Sequence, residues 1–447
     1  MPFSERAIFG ERWEYSFIEY LCRREMDLIM QEKITLDNGI RILLDPLDYV
    51  RSASFGIWIE SGSIHEEKGR EGISHFIEHM AFKGTEKRTA MDIASDFDNI
   101  GGQANAFTAK EMTCFYAKTL DTNVMQGFEI LSDIILNSSL SDKNIEIEKK
   151  VIFEEIAMEE DNPEDLAIDR FCESVWLGHP LANRILGYRD TIKGFNSELL
   201  RNHIVSHYQP QNIIITISGS YNKDEFVKFA DSAFSNIKSS VNAQTIPKAK
   251  FIPQIILEKK KTEQNHICIG FESFDSDSDE ESNALALFSI VFGSGLSSRL
   301  FQRIREETGL VYTIYSFPLK HRQGGLFCIY AGLNSNTEGK ALKLIYKEIN
   351  DVIKNGITNE ELQRAKEQFK ASVVMGLEGT SSRMAYMGRN EIVHGRVKSM
   401  AETISEIDNK DINSVMSAAK KVFNFEKSAI SVIGKPKTED YYKSLLY

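Results

Sequence analysis

No stretch of this sequence approaches 18 consecutive apolar residues, so nothing in it reads as a membrane span. Cysteine is scarce. Cys22, Cys114, Cys172, Cys268 and Cys328 are scattered, odd in number and never in a CxxC pair. That argues against a disulfide framework and against a cysteine zinc site, and it fits a reducing compartment. Positive charge is in deficit, with 53 Lys+Arg against 65 Asp+Glu and a net charge of −12. Such a field repels nucleic acid and anionic membranes, and weakly favours cationic peptides or metal ions. The first 30 residues lack an uncharged apolar core and hold six acids against four arginines. They therefore read neither as a secretory signal nor as a mitochondrial presequence, and a cytoplasmic location is expected, with the mitochondrial matrix as the alternative.

What is present is ordinary globular material, 42% hydrophobic and 26% charged over 447 residues, enough for two to four domains with cores of their own. Strand-like runs at 40–44 and 54–59 precede a short helix at 73–82 and a helix opened by the capping box Thr89-Ala-Met-Asp92. Gly101-Gly102 breaks the pattern, strand-like runs 103–108 and 112–120 follow, and long helical patterns cover 124–136, 144–158 and 166–175. A strand at 212–218 and a helix at 223–234 complete this half. Residues 235–250 lose periodicity and collect Ser, Asn and Pro, which marks a linker. The order then recurs, with a strand at 267–271, helices at 284–292 and 298–306, strands at 311–317 and 326–331, and a capping box at Thr358–Glu361. The expectation is an α/β (α+β) fold of two homologous repeats, each a mainly antiparallel sheet packed with helices, spanning 31–240 and 241–447.

One motif dominates the chemistry: His75-Phe76-Ile77-Glu78-His79. On a helix, His75 and His79 lie one turn apart on one face, where both imidazoles reach a single ion, and Glu78 lies beside them as a proton acceptor. Two imidazoles suit zinc and leave room for a third ligand. The helix 144–158 and its continuation offer Glu146, Glu148, Glu154, Glu155 and Glu159, and spacing alone does not choose among these five.

HxxEH is the inverzincin order, the reverse of HExxH. Its surroundings resemble the pitrilysin/insulinase family of zinc metallopeptidases, in particular two-domain members similar to the mitochondrial processing peptidase β-subunit and its bacterial relatives. The resemblance is carried by GISHFIEHMAFKGT (72–85), GGQANAFTAKEMTCFYA (101–117), EKKVIFEEIAMEEDNPED (148–165), HYQPQNIIITISG (207–219) and FGSGLSSRLFQRIREETGLVYTIYS (292–316). It covers about 31–435 and leaves residues 1–30 as an extension of unassigned role, or as sequence ahead of a true start at Met26 or Met30.

The resemblance implies one Zn2+ per chain, held by His75, His79 and Glu155, with Glu78 as general base and Glu148 supporting the site. It implies that Asn105 and Ala106 lie on an edge strand that binds extended peptide by strand addition, and that Arg305 and Tyr312 close over the substrate, with Tyr312 stabilising an oxyanion. Residues 31–240 would form the catalytic domain and 241–447 a homologous domain without HxxEH, so metal binding would need only the first. The implied activity is a zinc endopeptidase acting on extended or presequence-like peptides, with pairing of two copies as a further expectation. The alternatives are a catalytically silent scaffold or core subunit, or a subunit that needs a different partner chain. Retention of His75, Glu78, His79, Glu155, Arg305 and Tyr312 favours the enzyme.

Three other features read as structural. His203 and His207 are an i, i+4 pair outside the motif segments, Gly293-Ser-Gly295 lacks a third spaced glycine, and Cys114 sits in a strand-like run suited to a core.

Overall fold

A computed structural model describes residues 32–238 and 245–446. The 1–30 extension, Cys22 and the middle of the 235–250 linker lie outside the described residues. Six strands form the first sheet: β1 (Glu32–Thr35), β2 (Arg41–Pro46), β3 (Ser52–Ile59), β4 (Gln103–Thr108), β5 (Thr113–Leu120) and β6 (Ile213–Gly219). Their order is β1-β2-β6-β3-β5-β4, antiparallel except for the parallel pair β2/β6. The second sheet holds β7 (Ile255–Lys259), β8 (Asn265–Ser273), β9 (Val311–His321), β10 (Gly324–Leu333) and β11 (Ser428–Gly434), in the order β7-β11-β8-β10-β9 with β7/β11 parallel. Without β1, the first sheet has the same order and the same single parallel pair as the second, so the duplication expected from the sequence extends to strand topology.

The helices repeat as well. Between β3 and β4 lie α1 (Ile73–Ala81) and α2 (Ala90–Asn99). Between β5 and β6 run α3 (Val124–Leu136), α4 (Asp142–Asp161), α5 (Pro163–Val175), α6 (Arg189–Lys193) and α7 (Ser197–His207), and α8 (Lys223–Phe234) follows β6. The second half places α9 (Asp279–Phe292) after β8. Between β10 and β11 it places α10 (Glu338–Asn355), α11 (Asn359–Gly376), α12 (Thr380–His394), α13 (Met400–Asp408) and α14 (Ile412–Val422), with α15 (Glu439–Leu446) last. The capping boxes at Thr89/Asp92 and Thr358/Glu361 form as their spacing predicts.

One expected helix differs. The segment 298–306 is wound as a π-helix over Phe301–Glu306, with the Glu307 N–H donating to the Gln302 carbonyl five residues back.

The third helix between the hairpin and the last strand of each sheet crosses to the other half. Helix α12 lies across β6, β3 and β2 of the first sheet, and α5 lies across β11, β8 and β7 of the second. Each crossing makes its own core: Trp58, Cys114 and Ile214 with Met384 and Met387 under α12, and Cys268, Cys328 and Ala429 with Phe171 and Val175 under α5. The central strands are therefore buried on both faces, which is why β6 opens on three consecutive isoleucines instead of an alternation: Ile213, Ile215 and Ile217 face the first half's own helices, while Ile214 faces α12.

Close approach depends on glycine at both crossings. A Cβ at Gly388 would overlap the Trp58 indole, one at Gly56 would lie 2.7 Å from Met384 Sδ, and one at Gly270 would overlap the Phe171 ring. Each crossing also carries an arginine paired to a strand carboxylate. Arg383 of α12 binds Asp45 of β2 through Nε at 2.7 Å and Nη2 at 2.9 Å, and Arg170 of α5 binds Glu258 of β7 at 2.7 Å.

Candidate active site

Helix α1 begins at Gly72, whose φ of 92° is left-handed and whose missing side chain leaves the helix without an N-cap of its own. The carboxylate of Glu66 does that work instead. It accepts from the Gly72 N–H at 2.7 Å and the Ser74 N–H at 2.9 Å. Ile73, Phe76, Ile77 and Met80 are buried in the first core and fix the rotation of the helix, so that His75 and His79 point toward α4.

Of the five glutamates that spacing left open, the fold brings Glu155 to the imidazoles. Its Oε2 lies 3.4 Å from His79 Nε2 and 3.9 Å from His75 Nε2. Among the described residues these three form the one group able to hold a metal, with ligand atoms all within 4.8 Å of one another. Ligands about 2.0–2.1 Å from a tetrahedral zinc lie roughly 3.4 Å apart, so the residues fit that ion with little movement. The fit is also electrostatic. Glu155 Oε2 is buried and accepts no hydrogen bond, and a buried anionic oxygen left so needs a cation.

Protonation follows the same pattern. His75 is pushed down to about 3, first by burial and then by His79, with Glu148 opposing. It is neutral at any physiological pH, the form in which an imidazole nitrogen can bind a cation. Burial also pulls on His79, but the hydrogen bond to Glu148 and the carboxylates of Glu155, Glu148 and Glu78 lift it above the usual imidazole range. Glu148 is 1% exposed, accepts from His79 Nδ1 at 2.8 Å and pairs with Lys83 at 2.8 Å. Burial raises its pKa, and the His79 and Lys83 contacts outweigh that and hold it ionised. Since an ionised carboxylate only accepts, His79 donates from Nδ1, which leaves Nε2 as the nitrogen on the side of Glu155. Glu78 is raised by burial, against a hydrogen bond from Thr108 and the charge of His79.

Asn105 and Ala106 lie on β4, which among the described residues pairs with β5 alone and so forms one edge of the first sheet. The Ala106 N–H donates to the Asn105 side-chain oxygen at 2.8 Å. Arg305 and Tyr312 meet each other but make no contact with the histidines. The Arg305 guanidinium lies 4.6 Å from the Phe301 ring centre and 5.8 Å from that of Tyr312, and the Tyr312 side chain is 70% exposed.

The structural readings of the remaining motifs agree with their surroundings. His203 and His207 stack at 4.0 Å with nearly parallel rings, and His207 Nδ1 bonds the His203 carbonyl, so their nitrogens do not converge on an ion. Gly293 packs against Ser316, and Cys114 is fully buried. The sequence reading passed over Thr108, Lys83 and Glu66. Lys83, one turn beyond His79, and Thr108, two residues beyond Ala106 on the same strand face, were accessible to spacing; nothing marked Glu66.

The sequence model of the family described as "Insulinase (Peptidase family M16)" matches residues 41–189, and that described as "Peptidase M16 inactive domain" matches 194–369. The chain is 37% identical over 404 residues to "Uncharacterized zinc protease YmxG" of Bacillus subtilis, covering 90% of this chain and 98% of the relative. It is 36% identical over 392 residues to an "Uncharacterized zinc protease" of Rickettsia felis, covering 87% and 94%. A crystal structure of a protease from Helicobacter pylori shares the fold at a TM-score of 0.85 and 22% identity, over 92% of this chain and all of that one. With both domain types matched in order and relatives alike over nearly their full length, the chain belongs to the M16 peptidase family.

Proposed function

We propose that this chain is a zinc-dependent endopeptidase that hydrolyses extended peptides. The observation that carries the reading is the convergence of His75, His79 and Glu155 beside Glu78, under an open strand edge. His75 Nε2, His79 Nε2 and a Glu155 oxygen would hold the ion. Bound there, zinc supplies Lewis acidity toward a carbonyl and makes water acidic enough to lose a proton near neutral pH.

The chain's own groups do the rest. Glu78, partly desolvated, takes the proton of the attacking water and returns it to the leaving amine. Glu148 fixes the tautomer of His79, and Lys83 offsets the charge of Glu148. The edge of β4 at Asn105 and Ala106 aligns the peptide backbone. Arg305 and Tyr312 stand exposed and apart from the ligands, so they serve the reaction after closure of the second half or from a second copy. A cytoplasmic location and presequence-like substrates belong to the same reading.

Zinc content and peptide cleavage by the purified chain test it. About one zinc per chain and cleavage abolished in Glu78→Gln are expected. Specific activity that rises with protein concentration would assign Arg305 and Tyr312 to a partner copy, and a constant value to closure within one chain. Zinc without cleavage across a panel of peptides would favour the silent scaffold or a missing partner chain.

A further inference from the structure

Among the described residues, the one hydrogen bond to the Glu78 carboxylate comes from outside its own helix. Thr108 Oγ1 donates to Glu78 Oε2 at 2.6 Å. Thr108 is the last residue of β4, the open edge strand. Its backbone direction follows from its neighbour. The Ala109 N–H donates to the Met112 carbonyl across the β4–β5 turn at 2.8 Å, so Ala109 faces β5. Successive residues alternate along a strand, so the backbone groups of Thr108, Ala106 and Ala104 face the open edge. The Ala106 N–H fits that alternation, because it donates to the Asn105 side chain and not across the ladder.

One residue therefore presents its backbone to the edge and its hydroxyl to the proton acceptor. We infer that Thr108 is the positioning residue for Glu78, aiming its carboxylate and tying that aim to the strand on which a peptide is laid. The inference rests on the endopeptidase reading. A peptide that adds to β4 replaces the Asn105 oxygen at the Ala106 N–H and extends the ladder past Thr108, which holds the threonine and, through it, the carboxylate. A base held this way is ordered most when substrate is present, so the loss of the hydroxyl appears in turnover and not in peptide affinity.

Thr108→Val preserves shape and removes the donor, and Thr108→Ser preserves the donor. A hydrogen bond to a charged group is worth enough to change a rate about 10- to 100-fold. We expect Thr108→Val to lower kcat by that factor with KM and zinc content unchanged, and Thr108→Ser to recover most of it. Wild-type kcat in Thr108→Val, a change confined to KM, or no rescue by serine would overturn the inference. Crystal structures of the two variants decide it independently of turnover. Glu78 should keep one carboxylate placement in Thr108→Ser and lose it in Thr108→Val, whereas an unmoved Glu78 in Thr108→Val would also refute the role. Failure of the wild-type protein to cleave any peptide would count against the peptidase reading alone, since the crystallographic comparison stands without it.

Discussion

In the first half, the helix between β3 and the edge hairpin carries His75, Glu78 and His79; in the second, the helix in that place after β8, α9, carries Leu285, Leu287, Phe288 and Phe292 on its buried side. The helices that face them differ in the same sense. Helix α4 turns Glu148 and Glu155 inward, whereas α11 turns Lys366 and Lys370 inward, with Lys366 donating to the Asp408 carbonyl at 2.8 Å. Titration differs between the halves in one respect. Among the described residues the carboxyls with raised pKa, Glu66, Glu78, Glu159, Asp169 and Glu173, all lie in the first, beside the lowered Asp92, Glu111, Asp133 and Glu148, while Asp275, Asp279, Glu361, Glu402 and Asp411 of the second are lowered and none is raised. One topology thus holds an apolar helix facing buried lysines and a desolvated imidazole–carboxylate cluster equally well. The sheets and their crossings carry the fold, and the site is an addition that the fold tolerates.

Breaking the chain at 240/241 is the most severe test. Although every proposed ligand lies in the first half, a fragment 31–240 leaves Trp58, Cys114 and Ile214 uncovered and strips α5 of its sheet. It should fail to hold zinc alone and regain it when mixed with 241–447, read by metal analysis and circular dichroism. A soluble first-half fragment with one bound zinc would show the halves to be independent.

Next in size is the chemistry. Glu78→Gln should retain zinc and lose roughly 100- to 10,000-fold in peptide hydrolysis, whereas His79→Ala and Glu155→Ala should lose zinc as well. Lys366→Met, in the helix that occupies the place of α4, should leave hydrolysis unchanged.

The two crossings should cost alike. Gly388→Val drives a side chain into Trp58 and Gly270→Val drives one into Phe171, and overpacking of this kind costs about 1–3 kcal/mol. Urea midpoints that fell for one and not the other would show that the crossings are unequal.

The smallest effect is in pH. Glu159 is pushed up to about 7 by burial, with Asp169 and Asp165 adding. The folded chain therefore holds this proton more tightly than the unfolded chain, and the stability so gained is present at low pH and lost as pH rises through 7. Glu159→Gln should flatten the melting temperature against pH between about 5 and 8. An unchanged profile would place the sensitivity elsewhere.

Much of this was legible in advance. The spans 103–108, 124–136 and 223–234 coincide with β4, α3 and α8, because strong periodicity meets clear breakers at each end. HxxEH was legible because three side chains at helical spacing are a local fact. The choice of Glu155 from five glutamates came only from family resemblance, since it depends on how α4 docks on α1, which no spacing reports. Strand β7 is short and half-exposed, and it escaped notice. The crossings escaped for a different reason: periodicity shows that α5 and α12 each have an apolar face, but not whose sheet covers it. The π winding that carries Arg305 has no sequence signature here.

The α12 crossing bears on how the protein is made. Trp58 meets Gly388, 388 − 58 = 330 positions later, so one face of the first sheet is still uncovered when β6 leaves the ribosome. From Gly219 to His394 a further 394 − 219 = 175 residues must be synthesised, which takes roughly 10–35 s at 5–20 residues per second. Through that interval Trp58 and Ile214 lie bare on the nascent chain. The first half therefore reaches its final form only after most of the second has been translated.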